Sequence, residues 1–101
     1  MTEEIKQAYV DKMSAQLREV GAKVEVVKAR IAKSTAEVRI AYHKQIAEWN
    51  DKETLLKTKM EELRQAGSES FESIKWKVQN LWTEVAELST SIEENKNNEQ
   101  H

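Results

Sequence analysis

Ile31-Ala32-Lys33-Ser34-Thr35-Ala36-Glu37-Val38 is the stretch on which the architecture of this 101-residue chain depends. Read as helix, it carries an apolar seam through without interruption. Val10, Met13, Leu17, Val20, Val24, Val27, Ile31, Ser34, Val38 and Ala41 recur at alternating steps of three and four, the spacing of a coiled-coil stripe. Read as a break, Ser34-Thr35-Ala36-Glu37 is a capping box, in which a hydroxyl and a carboxylate three residues apart satisfy the free N–H groups of a new helix. The stretch holds no glycine or proline to help the chain reverse. The unbroken seam therefore predicts one helix over residues 3–65, with a three-helix, spectrin-like bundle broken near residues 33–36 as the alternative.

Upstream, Thr2 is placed to cap the helix, and Glu3 and Glu4 put negative charge where the helix dipole favours it. Downstream the phase slips: Tyr42, Ile46, Trp49, Leu56, Met60 and Leu63 form the stripe, with Glu53 as its gap. A slip of this stutter type unwinds a supercoil locally without ending the helix. The strongest break is Gln65-Ala66-Gly67-Ser68-Glu69-Ser70. Gly67 suits a left-handed C-terminal position and Ser68 or Ser70 suits an N-cap, so residues 66–70 are expected to form the turn. The next helix is expected over residues 71–94. It has the cleanest seam of all: Phe71, Ile74, Val78, Leu81, Val85, Leu88 and Ile92. Residues 95–101 contain no apolar side chain and are expected to be a disordered tail.

Composition agrees with a chain of few, long elements. It has no proline, no cysteine and two glycines, Gly21 and Gly67, which excludes tightly turned β folds, disulfide scaffolds and thiolate metal sites. With 34% charged residues and 39% apolar ones, the single domain, residues 1–101, is all-α and buries thin seams rather than a thick core. The net charge of -2 offers no long-range attraction to nucleic acid or anionic lipid. Charge is nevertheless unevenly spread: residues 1–33 carry seven basic and five acidic side chains, and residues 67–101 carry three and seven. The acidic N-terminus and the absence of a long apolar run predict no signal peptide and no membrane span, hence a cytoplasmic protein.

The hairpin reading has a consequence for assembly. A helix over residues 3–65 is about 90 Å long, and the second helix reaches about 37 Å back along it. The seam from Val10 to Ile31 is then left uncovered, although each such side chain contributes about 1.5 to 3 kcal/mol when buried. Another chain is expected to cover it, most simply in a homodimer that completes a helical bundle. Ala8, Ala15, Ala22, Ala29 and Ala36, at heptad spacing on the face opposite the seam with Val26 and Ile40 beside them, add a surface where a second helix can approach closely. The same alanines also serve simply as strong helix formers.

No chemistry-bearing constellation emerges. His43 has Arg39, Ile40, Ile46 and Ala47 as its helical neighbours, none able to complete a metal site, and His101 belongs to the tail. Adjacent acidic pairs such as Glu61 and Glu62 diverge by ~100° on a helix and do not make a di-metal ligand set. No serine or threonine has a nucleophile's supporting set, and no glycine-rich phosphate loop exists. The reading is therefore of a non-enzyme without cofactor or metal. Trp49, on the seam, and Trp82, beside Leu81, read as core or interface anchors, whereas Trp76, between Lys75 and Lys77, projects away from the seam and is a candidate outer contact along with Trp82.

With Lys12-Met13-Ser14-Ala15-Gln16-Leu17, then Glu61-Glu62-Leu63-Arg64-Gln65-Ala66 and the tryptophan-bearing second helix, the chain resembles small uncharacterised bacterial coiled-coil domain-containing proteins. The resemblance covers most of the chain through low-complexity helical motifs. It implies an α-helical hairpin and brings no activity with it. The expected role is a homo-oligomeric coiled-coil scaffold or protein-interaction module. The alternative is an amphipathic stress- or envelope-associated protein that binds lipid or client surfaces.

Overall fold

The computed structural model describes residues 3–99, the side chains of residues 95–99 excepted. Three helices make up the described chain: α1 (Glu3–Ala32), α2 (Ala36–Gln65) and α3 (Ser68–Glu99). The continuous helix expected over residues 3–65 is therefore two helices, and the chain reverses at residues 33–35. Thr35 makes this reversal. Its backbone is extended (φ -67°, ψ 162°) and its Oγ1 accepts a hydrogen bond from the Val38 N–H at 3.4 Å, a Thr N-cap. The capping residue is thus Thr35, not Ser34 as the box pattern suggests. Ser34 instead closes the end of α1, where its N–H donates to the Ile31 carbonyl at 3.0 Å and its hydroxyl donates to the same oxygen.

The second reversal is also tighter than expected. Only residues 66 and 67 lie outside helix there, and Ser68 and Ser70 are helical rather than capping. Ala66 is extended and its N–H returns to the Leu63 carbonyl at 3.2 Å. Gly67 does not take the left-handed conformation, since no glycine has a positive φ. Its carbonyl accepts from the N–H groups of Ser70 and Phe71 at 3.1 and 3.0 Å and so starts α3. That helix continues to Glu99, beyond the expected end at residue 94, so residues 95–99 are helical and not a disordered tail. The remainder of that tail, residues 100 and 101, and the Thr2 cap lie outside the described residues.

Each helix runs the length of a body measuring 51 × 18 × 17 Å, so the short connections make consecutive helices antiparallel. Side-chain pairs fix the register. Arg64 lies 3.7 Å from Asp11, and Lys28 donates to the Asn50 side-chain Oδ1 at 2.8 Å, aligning α1 against α2. Between α2 and α3, Gln45 donates to the Ser91 hydroxyl at 3.2 Å, and Lys52 meets Glu84 at 3.3 Å. Between the parallel pair α1 and α3, the Tyr9 and Phe71 rings meet edge to face at 6.1 Å.

The three apolar stripes converge on one axis. Val10, Val24, Trp49, Leu56, Leu63, Phe71, Val78, Val85 and Ile92 are fully buried there, joined by Met13, Leu17, Val27, Tyr42 and Met60. Val20, Ile31, Val38, Ile46, Ile74, Leu81, Trp82 and Leu88 pack half-buried around them. The seam from Val10 to Ile31, which a hairpin would leave bare, is thus covered by α2 and α3 of the same chain. The hydrophobic argument for an obligatory partner does not apply to this arrangement. No described helix is long and apolar enough to cross a membrane.

Candidate functional site

Since the seam residues form the interior, a site for partners or ligands has to be built from the outer faces and from the grooves between helices. Trp82 turns toward the core and is half-buried. Trp76, six residues earlier, lies on the far face of α3 and keeps 65% of its surface exposed. Its sequence neighbours point elsewhere: Lys75 stands 5.1 Å above the Tyr9 ring, and Lys77 lines the groove between α2 and α3. Ile40 is 75% exposed, and Ile5, Val26 and Leu55 are exposed as well. The heptad alanines Ala8, Ala15, Ala22, Ala29 and Ala36 all face outward.

Among the grooves between the described helices, three differ in the charge of their walls. One of about 330 Å³, between α1 and α2, is lined by both signs of charge: Arg18 and Lys57, Glu25 and Glu53. Gly21 belongs to it. A Cβ there would come 3.3 Å from a Glu53 carboxylate oxygen, so the missing side chain gives the glutamate room to cross α1. That is the position of Glu53, the gap in the α2 stripe. A second groove, of about 450 Å³, lies between α2 and α3 with Lys59, Lys77 and Glu84 on its walls. A third, of about 260 Å³, sits beside the α1–α2 turn. It is formed by Ile31, Ala32, Tyr42 and Ile46 with Lys28, Arg39 and His43 around them, and no carboxylate lines it. His43 is exposed on this rim. Among the described residues no three His, Cys, Asp or Glu side chains group so as to hold a metal ion.

The opposite end of the bundle holds a cluster that the sequence reading missed. Lys6 is 5% exposed, yet its ammonium has a full set of partners. It donates to the Ala66 carbonyl at 2.9 Å, lies 3.0 Å from a Glu3 carboxylate oxygen and stands 5.9 Å above the Phe71 ring. Lys6 ties the start of α1 to the α2–α3 turn, while Glu3 is held below the usual carboxylate range by hydrogen bonding and charge from Lys6. The signal was present: Lys6 precedes Val10 by four and so continues the seam backward. Ser89 is a similar case. Four residues after Val85, it is buried, and its hydroxyl is satisfied by the Ala86 carbonyl at 3.1 Å.

Burial raises the Tyr9 phenol above its ordinary value of 10.0, Gln79 opposing the shift and Glu72 adding to it. A raised acid is a neutral group favoured by the fold. Its contribution is therefore intact below the unfolded value and lost as pH rises through the folded one. Tyr9→Phe is expected to remove part of the alkaline loss of helicity that sets in above about pH 10, the ordinary value for a phenol. Circular dichroism with 295 nm absorbance reads both events, and superimposable alkaline curves for the two chains would contradict the assignment.

No family model, curated protein or solved structure matches the chain.

Proposed function

We propose that the chain is a non-enzymatic helical interaction module or coiled-coil scaffold, and that it self-associates through its outer faces. The observation that carries this reading is Trp76. A large aromatic side chain 65% exposed, on a helix face otherwise lined by polar residues such as Glu72, Asn80 and Thr83, loses most by staying in water and gains most from a partner. Ala8, Ala15, Ala22 and Ala29, exposed at heptad spacing on α1 with Val26 on the same face, support close approach of a second helix, whereas Ala36 belongs to α2. A second copy of the chain is the partner to test first.

A lipid- or client-coating role has less behind it. Ile5 and Val26 lie on α1, Ile40 and Leu55 on α2, and Trp76 on α3, so the exposed large apolar side chains do not share the single stripe that an interfacial helix presents. Sedimentation velocity tests the proposal. The native chain is expected to show a reversible dimer and Trp76→Glu a monomer, with helicity and melting temperature of the variant unchanged because the side chain lies outside the core. A native chain monomeric at every accessible concentration would reject self-association, and a fully dimeric Trp76→Glu chain would reject the surface assigned to it.

A further inference from the structure

We propose that the groove beside the α1–α2 turn is a binding site for a small amphiphilic carboxylate, an anionic head on a short apolar tail. Its floor is apolar: the half-buried Ile31 and Ile46 flank the ring of Tyr42, itself buried to 2% exposure. Its rim is basic, with Lys28 and Arg39 carrying fixed charge and His43 beside them. The other two grooves each mix in carboxylates, Glu25 and Glu53 in one and Glu84 in the other. An anion entering either of those meets a carboxylate beside the cations on the wall, whereas the charged side chains lining this groove are all cationic, the Glu25 paired with Lys28 at 3.0 Å standing outside it.

The cations keep capacity for a ligand. Lys28 gives donors to Asn50 at 2.8 Å and Glu25 at 3.0 Å, leaving a third N–H on an ammonium that has three. Arg39 donates one N–H to the Ser34 carbonyl at 3.3 Å, out of the five that a guanidinium offers. The helix ends at the turn oppose one another, the negative end of α1 against the positive end of α2, so the side chains set the sign of the field. A head group held by Lys28 and Arg39 would direct its tail over Ile31, Tyr42 and Ile46. The volume, about 260 Å³, lies just below the usual range of ligand pockets and suits a chain of several carbons.

The experiment is an amide NMR titration of the full chain with octanoate, with octanol and acetate as arms lacking the charge and the tail. Octanoate is expected to give saturable shifts confined to residues around 28–46, with octanol and acetate at least ~10-fold weaker, the effect of one charge-assisted hydrogen bond or a buried tail. The double variant Lys28→Gln, Arg39→Gln is expected to weaken octanoate by a similar factor. Arg39→Gln alone, at an exposed position, supplies a folded control with a partial loss. Trp76→Glu is expected to bind octanoate as the native chain does, which separates this site from the self-association surface. The proposal is overturned by absent or unsaturable octanoate shifts, by octanol or acetate binding equally well, or by unaltered affinity in the double variant. Shifts in this groove that follow protein concentration alone would also overturn it, assigning the groove to contact between copies.

Discussion

Val24→Asp is expected to abolish cooperative folding. Val24 is completely buried on α1, in a core shared with α2 and α3. Replacing it removes about 1.5 to 3 kcal/mol of apolar burial. It also places a carboxylate where it has to be protonated or carried into water, a further penalty of several kcal/mol. Against the roughly 5 to 15 kcal/mol that holds a domain of this size together, the sum leaves little or no folded population. Thermal melts followed by circular dichroism would show a non-cooperative, largely unfolded chain at 25 °C. Val24→Ala, which loses two methyl groups, would remain folded with a lower midpoint. Because the core lies within one chain, the loss is expected to be independent of protein concentration, unlike the dissociation that a dimeric seam would give. A Val24→Asp chain melting within a few degrees of the native one would refute the placement of α1.

Trp49→Ala is expected to have the next largest effect, a loss of about 3 to 5 kcal/mol from deletion of a large buried aromatic side chain. Trp49 is fully buried, the largest side chain so placed. Its indole Nε1 is buried with no hydrogen-bond acceptor among the described residues. A buried, unpaired donor costs about 1 to 3 kcal/mol, so Trp49→Phe, which deletes that N–H and keeps a ring, is expected to recover much of the loss. At roughly 4 to 8 °C per kcal/mol for a domain near this size, the alanine chain should melt more than ten degrees lower. Equal melting points for the alanine and phenylalanine chains would show that the ring does not fill the core as described.

The sequence reveals the helical class and the side chains that pack, because burial on a helix leaves a period of three and four. It does not reveal the direction of the chain. Ile31 ends the α1 stripe and Val38 begins that of α2, seven residues apart, so a reversal that consumes one heptad leaves the spacing as an unbroken helix would have it. The later slip at Tyr42 is the same reversal seen from the other side, as α2 takes up its own register. The turn also lacks the usual punctuation, since Thr35 in extended conformation and Ser34 on the α1 end need neither glycine nor proline. Of the outer features, Trp76 was legible as a residue off the stripe. The basic groove was not, because it joins Lys28 and Ile31 to Arg39, Tyr42, His43 and Ile46 only once the chain folds back at 33–35.

The Lys6–Ala66 hydrogen bond spans 60 residues, in a chain whose consecutive helices are joined by three-residue and two-residue turns. Helix α2 meets each neighbour by local zippering, with little loop to close. Helix α1 meets α3 only after the whole of α2 has been laid between them. Because α1 and α3 are parallel, the loop-closure entropy of this topology falls on their contacts along the whole body, each joining residues about two helices apart, as Tyr9 and Phe71 are. Lys6 supplies a clasp among these contacts, tying the start of α1 to the α2–α3 turn across 60 residues.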